Sequence, residues 1–528
     1  VRLFFLFLVL STSAYAQPGW PEDLLITPEK TKYQKTSTYA DVMRFLNAQV
    51  ERSKDIRLIS MGKSPEGKDI PVAILAHPMV NSADEAKKSG KLIIYIQGNI
   101  HAGEVEGKEV VMMQIREILS VVSTPLLDNL IILCAPIYNT DSNDKMAFGR
   151  RPSQENSPPE VGIRENSVGL DLNRDGTKME ADETNALFQV INEWDPQLFV
   201  DLHTTNGTWH GWDLTWAPSY HYAGDKAPYD FTLKMLKDIT GIVPGKYNVA
   251  FGPFGDYDLS QGWPVKNFYT YNHHPRYLVN QFGLRNRMAI LSEAFAHEPF
   301  EKRIWATNAF VKEIIQYASD HADEIRMINN DADERTIHQG TPKKGVRYTM
   351  VPSETLYKFP TYDYELDATS NRYKPKKSKS VIDSVTYFGG FKAEVESRMP
   401  SGYVIPKELV AVVSNLRKHG IKVDELRRRK TFFGETFEVV RYDLAQRKFE
   451  GHQMARATGK FVETTKRFSK GDYVVDLAQP LGNLAFYLLE PESDDGLVTW
   501  NFFDESIEKE KKDNNPIEYP VFRYYISK

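Results

Sequence analysis

The stretch that decides the reading is Lys91-Leu92-Ile93-Ile94-Tyr95-Ile96-Gln97, followed at once by Gly98-Asn99-Ile100-His101-Ala102-Gly103-Glu104. The first seven residues predict a strongly apolar strand, and residues 104–119 carry helical spacing. Upstream, residues 57–61 and 70–76 predict two short strands joined by the turn Ser64-Pro65-Glu66-Gly67. Downstream, residues 130–137 predict a second buried strand, followed by a polar loop up to Asp171. A helix is expected over 182–193, a strand over 198–203, and helices over 229–239 and 302–320 with a buried strand, 288–295, between them. Strands alternating with helices predict an α/β domain with a mixed, mostly parallel sheet flanked by helices.

The chemistry starts with His101 and Glu104. A His and a Glu three residues apart converge on one metal ion where a loop turns into a helix. A catalytic zinc takes three protein ligands of this kind plus water. Alone, the H-x-x-E pattern is common. A third candidate is His203, at the end of the strand 198–203; ligands in open α/β sheets gather at the carboxyl ends of strands. Glu293 stands near the end of another apolar strand, Ile290-Leu291-Ser292-Glu293-Ala294. A carboxylate there is costly unless it has a partner or a task.

Taken in order, these residues resemble the zinc metallocarboxypeptidases of the carboxypeptidase A type. The resemblance spans roughly residues 40–320. It includes the early turn 62–70, the His101–Glu104 pair, Arg164-Glu165-Asn166 leading to Gly169-Leu170-Asp171-Leu172-Asn173-Arg174, and then His203 and Glu293. It implies one Zn2+ per chain held by His101, Glu104 and His203, with Glu293 as general base and proton shuttle. It further implies that Arg164 polarises the scissile carbonyl, that Asn173 and Arg174 grip the substrate's terminal carboxylate, and that Asp171 orients the first histidine. Each role suits its side chain. A carboxylate beside a zinc-activated water collects its proton, and arginine offers a carboxylate a bidentate fork. The family's tyrosine has three candidates here, Tyr269, Tyr271 and Tyr277. The expected activity is hydrolysis of the peptide bond next to a free C-terminal carboxylate. An amidohydrolase of N-acyl amino acids or cell-wall peptides is an alternative on the same scaffold. A non-catalytic peptide- or glycan-binding protein is the alternative of another class.

Composition agrees with a globular protein. Of 528 residues, 41% are hydrophobic and 26% charged, and 66 Lys and Arg against 71 Asp and Glu leave a net charge of −5. That balance argues against nucleic acid or an anionic membrane as partner, and the resemblance implies a peptide or peptide-like substrate. A single cysteine, Cys134, excludes an internal disulfide framework. Residues 1–16 read as a signal peptide, with Arg2, an apolar run over 3–10 and Ala14-Tyr15-Ala16. The run is too short to span a bilayer. A periplasmic or secreted enzyme is therefore expected, without stable membrane insertion, and Val1, which hints at a non-AUG start codon, makes a bacterial one the expectation. Residues 17–33 read as a linker and 34–330 as the catalytic domain. Residues 340–528 read as a β-rich α+β module with short strand-like runs and one helix starting at Pro406. Residues 505–516 read as a solvated helix or loop.

Some signals carry less. Trp209, Trp212, Trp216, Tyr220 and Tyr222 read as loop packing ahead of a substrate wall, and His273 and His274 as turn residues ahead of a second metal site. Strand parity places Arg287 on the same face as Glu293, Leu291 and Ala289. It must then either reach the pocket and favour acidic substrates or sit in a structural salt bridge.

Overall fold

The computed structural model describes residues 19–120, 125–154, 156–220, 222–512 and 517–526, so the signal-like segment 1–16 lies outside the described residues. Among them, eight strands form one sheet. These are β1 (Ile56–Lys63), β2 (Asp69–Leu75), β3 (Leu92–Gly98), β4 (Leu130–Ala135), β5 (Leu198–Thr204), β6 (Leu214–Pro218), β7 (Phe251–Pro253) and β8 (Met288–Ala294). Their order across the sheet is β1-β2-β4-β3-β5-β8-β6-β7. The central run β4-β3-β5-β8 is parallel, while β2 meets β4 and β6 meets β8 antiparallel. The sheet is the mixed, largely parallel one that the alternation predicts.

Helices cover both faces, which is why the central strands are apolar throughout. They are α1 (Tyr39–Arg52), α2 (Glu106–Ser120), α3 (Asp182–Trp194), α4 (Lys226–Tyr247), α5 (Phe300–Asp320) and α6 (Ala322–His338). Alternate strand residues feed two cores. Ile94, Ile96, Val200 and Ile290 face α1, α2, α4 and α5, whereas Ile93, Tyr95, Phe199 and Leu291 face α3.

Of the segment 17–33, expected as a linker, the described part from residue 19 packs on this domain. Leu24 and Ile26 are buried, and Glu29 takes both arms of the Arg116 guanidinium at 2.7 Å. Two apolar side chains and one acid suffice to dock a segment too short to show a periodicity.

Beyond α6 the strands are longer than expected. Glu354–Asp367 pairs antiparallel with Arg372–Phe388, and Lys430–Leu444 with Ala455–Phe468, in runs of 14, 17, 15 and 14 residues. Most of Arg372–Phe388 is exposed. Within the ribbon Lys374 pairs with Glu365 and Lys379 with Tyr362, while Lys376 and Lys377 lie at a register shift, so no hydrophobic alternation marks it. The helix expected at Pro406 begins later, as Val410–Lys418, with Pro406 in the preceding turn accepting the Leu409 N–H. Helix Asp504–Lys512 occupies the segment read as solvated, and it buries Ile507 in the module's core.

The two halves are joined. Asn267–Tyr269 pairs in parallel with Thr386–Phe388, and Arg285 donates to the His419 carbonyl at 2.8 Å. No helix among the described residues is long and apolar enough to cross a membrane.

Candidate active site

The site is built where β3 hands over to α2. A Cβ at Gly98 would lie 2.6 Å from the Gly107 carbonyl carbon, and one at Gly107 would lie 2.7 Å from Leu202 Cβ. Two glycines thus let the first turn of α2 seat against the ends of β3 and β5. Asn99 adopts φ 68°, a left-handed conformation that asparagine tolerates. The chain then closes a turn in which the Glu104 N–H donates to the His101 carbonyl at 2.9 Å.

Across this turn stands His203, at the end of β5. Glu104 bridges the two histidines, with Oε1 2.9 Å from His101 Nδ1 and Oε2 3.0 Å from His203 Nδ1. One donor atom from each of the three lies within 4.8 Å of the others, and all three side chains are buried. The outer nitrogens are held by carboxylates: His101 Nε2 is 3.1 Å from Asp171 Oδ1, and His203 Nε2 is 3.0 Å from Asp201 Oδ2. Both Nδ1 atoms are thereby turned inward. Two imidazoles and a carboxylate, oriented by outer carboxylates, are a donor set that fits zinc. Although burial works against it, His101 and Arg151 hold the Glu104 carboxyl well below the usual range. Burial likewise opposes charge on His203, yet Asp201 and Glu104 raise it well above an ordinary imidazole.

Glu293 faces the same space from β8, and its Oε2 is buried without a hydrogen-bond partner among the described residues. Burial pushes its carboxyl up to about 8, helped by Glu104 and opposed by His203 and Arg164. Arg164 grips Asp171 Oδ2 with Nε at 3.0 Å and Nη2 at 2.9 Å, while Nη1 reaches within 3.6 Å of Glu104 Oε1. Despite its burial, Asp171 is held far below the ordinary carboxylate range by His101 and Arg164. Asn173 accepts the Leu278 N–H at 3.1 Å, and the Arg174 guanidinium lies 4.6 Å over the Tyr277 ring.

His101, Glu104, Arg164, Asn173, Arg174, His203 and Glu293 line one cavity of about 280 Å³, and Asp171 stands behind His101. All three candidate tyrosines reach that cavity, in different company. The Tyr271 hydroxyl donates to Asn280 Oδ1 at 3.0 Å, Tyr269 packs on Phe388 and Tyr277 lies against Arg174.

Sequence reasoning missed two residues here. Arg151 lines the cavity and donates to Glu104 Oε1 at 2.7 Å, but it sits in a polar loop with no spacing to mark it. Asp201 was legible, because two residues on a strand share a face and His203 needs an outer partner.

Other expectations resolve plainly. Trp212 packs on Phe359 and Phe268, Trp216 donates to Thr240 Oγ1 at 2.8 Å, and Trp209 stacks on His297. Arg287 does share a face with Glu293, but it does not line the cavity. At the opposite end of β8 it is forked by Asp195 at 2.9 and 2.7 Å and paired with Asp333 at 2.9 Å, so the structural salt bridge is its role. His273 and His274 approach Asp494, at 3.0 and 4.0 Å. That carboxylate also accepts the Tyr348 N–H and the Tyr487 hydroxyl, and the group ties the loop at 273–274 to the second module.

Residues 42–240 match the sequence profile of the family described as zinc carboxypeptidase. Carboxypeptidase 2 of Trichophyton equinum is 24% identical over 485 residues, covering 87% of this chain and 81% of its own. Carboxypeptidase 2 of Trichophyton rubrum is 23% identical over 484 residues, with the same coverage of 87% and 81%. Among solved structures, a metallo-carboxypeptidase of Burkholderia cenocepacia aligns with a TM-score of 0.39 at 14% identity, covering 52% of this chain and 68% of that one. Carboxypeptidase A of Helicoverpa armigera aligns at 0.38 and 15% identity, covering 57% and 74%. Residues 42–240 thus carry the profile of the zinc carboxypeptidase family, and the likeness to carboxypeptidases along most of the chain makes it a metallocarboxypeptidase.

Proposed function

We propose that this enzyme removes C-terminal residues from peptides, using one zinc ion held by His101, Glu104 and His203. The observation that carries the reading is the convergence in one cavity of this donor set, the unpartnered Glu293 carboxylate and Arg174. Zinc in such a site supplies Lewis acidity and lowers the pKa of a water molecule from about 16 towards 7. Glu293 takes the proton of the attacking water and passes it to the leaving amine. Its buried, raised carboxyl suits a group that must both accept and release a proton near neutrality. Arg164, with Nη1 directed at the metal-ligand cluster, donates to the oxygen on which negative charge develops. Asp171 holds both Arg164 and His101 and so fixes their separation. Asn173 and Arg174 bind the terminal carboxylate, with Tyr277 supporting the guanidinium from one face.

The same peptide offered as free acid and as C-terminal amide tests the reading. The free acid should lose its last residue and the amide should be cleaved poorly; equal cleavage of both would refute it. The apolar run at 3–10 and Ala14-Tyr15-Ala16 support export as well. Export predicts a mature chain beginning near Gln17, which N-terminal sequencing checks.

A further inference from the structure

We infer that Asp495, contributed by the second module, is a positioning residue for the carboxylate grip of the active site. The inference rests on the reading that Arg174 binds the substrate's terminal carboxylate. Asp495 is fully buried. Its Oδ1 accepts Arg276 Nε at 2.9 Å and the Trp500 indole N–H at 3.0 Å, with Arg276 Nη2 in ion-pair contact at 2.6 Å. Its Oδ2 accepts the Arg276 backbone N–H at 2.8 Å and the Thr177 hydroxyl at 3.4 Å. One carboxylate thereby holds two segments that both run into the catalytic cavity, 173–177 and 269–277.

The two segments also hold each other. The Gly176 N–H donates to the Arg276 carbonyl at 3.0 Å, and a Cβ at Gly176 would lie 2.5 Å from the Pro275 carbonyl oxygen. Arg174 lies two residues before Gly176, and Tyr277 directly follows Arg276. Their side chains meet in the cavity, guanidinium over ring. The position of this pair is therefore set by the Asp495–Arg276 tie, which Trp500 walls at 4.9 Å from the Arg276 guanidinium. Neighbouring Asp494 holds His273 in the same loop. A carboxylate with four hydrogen-bond donors in a buried site is highly directional, and removing its charge leaves the Arg276 guanidinium uncompensated. On this view the second module completes the substrate-binding wall of the first.

The test compares Asp495→Asn, Arg276→Lys and Arg174→Ala in the zinc-loaded, full-length enzyme, with one peptide as free acid and as C-terminal amide. Metal content and melting temperature are recorded for each variant. Asp495→Asn should keep its zinc and raise KM for the free acid roughly tenfold with kcat little changed, the signature of lost ground-state binding. Its cleavage of the amide should stay at the wild-type level, so the preference for free acid shrinks. Arg276→Lys, which keeps the charge but not the fork, should shift the same way by a smaller factor, and it decides the matter should Asp495→Asn fail to fold. Arg174→Ala tests the underlying reading: if it leaves the free-acid preference intact, the grip is elsewhere and the inference falls with it. If Arg174→Ala abolishes the preference while folded, zinc-loaded Asp495→Asn and Arg276→Lys keep wild-type KM, the reading stands and the positioning role is refuted. An equal loss on both substrates with a lower melting temperature would leave Asp495 a purely structural residue.

Discussion

Glu293 on β8 and His203 on β5 are register partners in adjacent parallel strands. Register partners in a pleated sheet point to the same face, so the Glu293 carboxylate and the His203 imidazole, carried by neighbouring strands, face one cavity from rigid backbone. The geometry does not depend on a loop. Asp201 lies on the same face as His203, two residues earlier, and meets its outer nitrogen, so β5 carries both the imidazole and the carboxylate beside it.

Replacing Glu293 with Gln keeps the shape of the side chain and removes its basicity. The variant is expected to retain zinc at wild-type stoichiometry and to lose two to four decades of turnover, roughly the contribution of a positioned general base. Metal analysis alongside single-turnover kinetics checks both halves. Near-wild-type hydrolysis would place the base elsewhere.

The outer carboxylates should tune the metal rather than hold it. His203→Ala is expected to abolish tight zinc binding. Asp201→Asn and Asp171→Asn should each weaken it by about 10–100-fold. Competition with a chelator of known affinity ranks the three, and an unchanged affinity in Asp201→Asn would show that His203 needs no outer partner.

Arg287 anchors β8 at the end away from the site, between Asp195 and Asp333. Removing Arg287 strands Asp195, which is 39% exposed, and Asp333, which is 16% exposed, so the cost falls below that of a fully buried pair, to on the order of 2 kcal/mol. Arg287→Met should lower the unfolding free energy by about that amount and should affect acidic and neutral substrates alike. A loss confined to acidic substrates would revive a role in the pocket.

His452 and Glu180 join the second module to the loop after Arg174, with Nε2 2.9 Å from Oε1. The hydrogen bond to Glu180 raises His452 above 6.5, so its contribution is full below pH 6.5 and fades as pH rises through the raised value. Glu180 is lowered to about 2, because His452 and Lys178 outweigh its partial burial. Its contribution is full above pH 4.5 and fades as pH falls towards 2. The difference in melting temperature between the wild type and His452→Ala should therefore be largest between pH 4.5 and 6.5 and shrink on either side. A difference that grows steadily to pH 9 would contradict the assignment.

Much of the catalytic half was legible before any coordinates. Buried parallel strands need apolar runs, helices on their faces need a period near 3.6, and these two signatures locate β3, β4, β5, β8, α2, α3 and α5 within a few residues. Glu293 could be singled out because a carboxylate is costly near the end of an apolar strand, whereas His101, Glu104 and His203 stood out by the H-x-x-E spacing, a place at a strand end and the resemblance to the family. The sequence alone therefore determined the layered sheet and the residues at its carboxyl edge. Only the tertiary structure decided the rest. The lysine-rich ribbon Arg372–Phe388 is held by backbone pairing, which leaves no side-chain pattern. Arg151 reaches Glu104 from a loop 47 residues away in sequence. Parity put Arg287 on the correct face of β8 but could not say which acids awaited it. Asp495 lies 219 residues from Arg276, and no local rule links them. Contacts of that range follow from how two modules dock, and the pairing of a buried charge becomes visible only once both of its neighbours are in place.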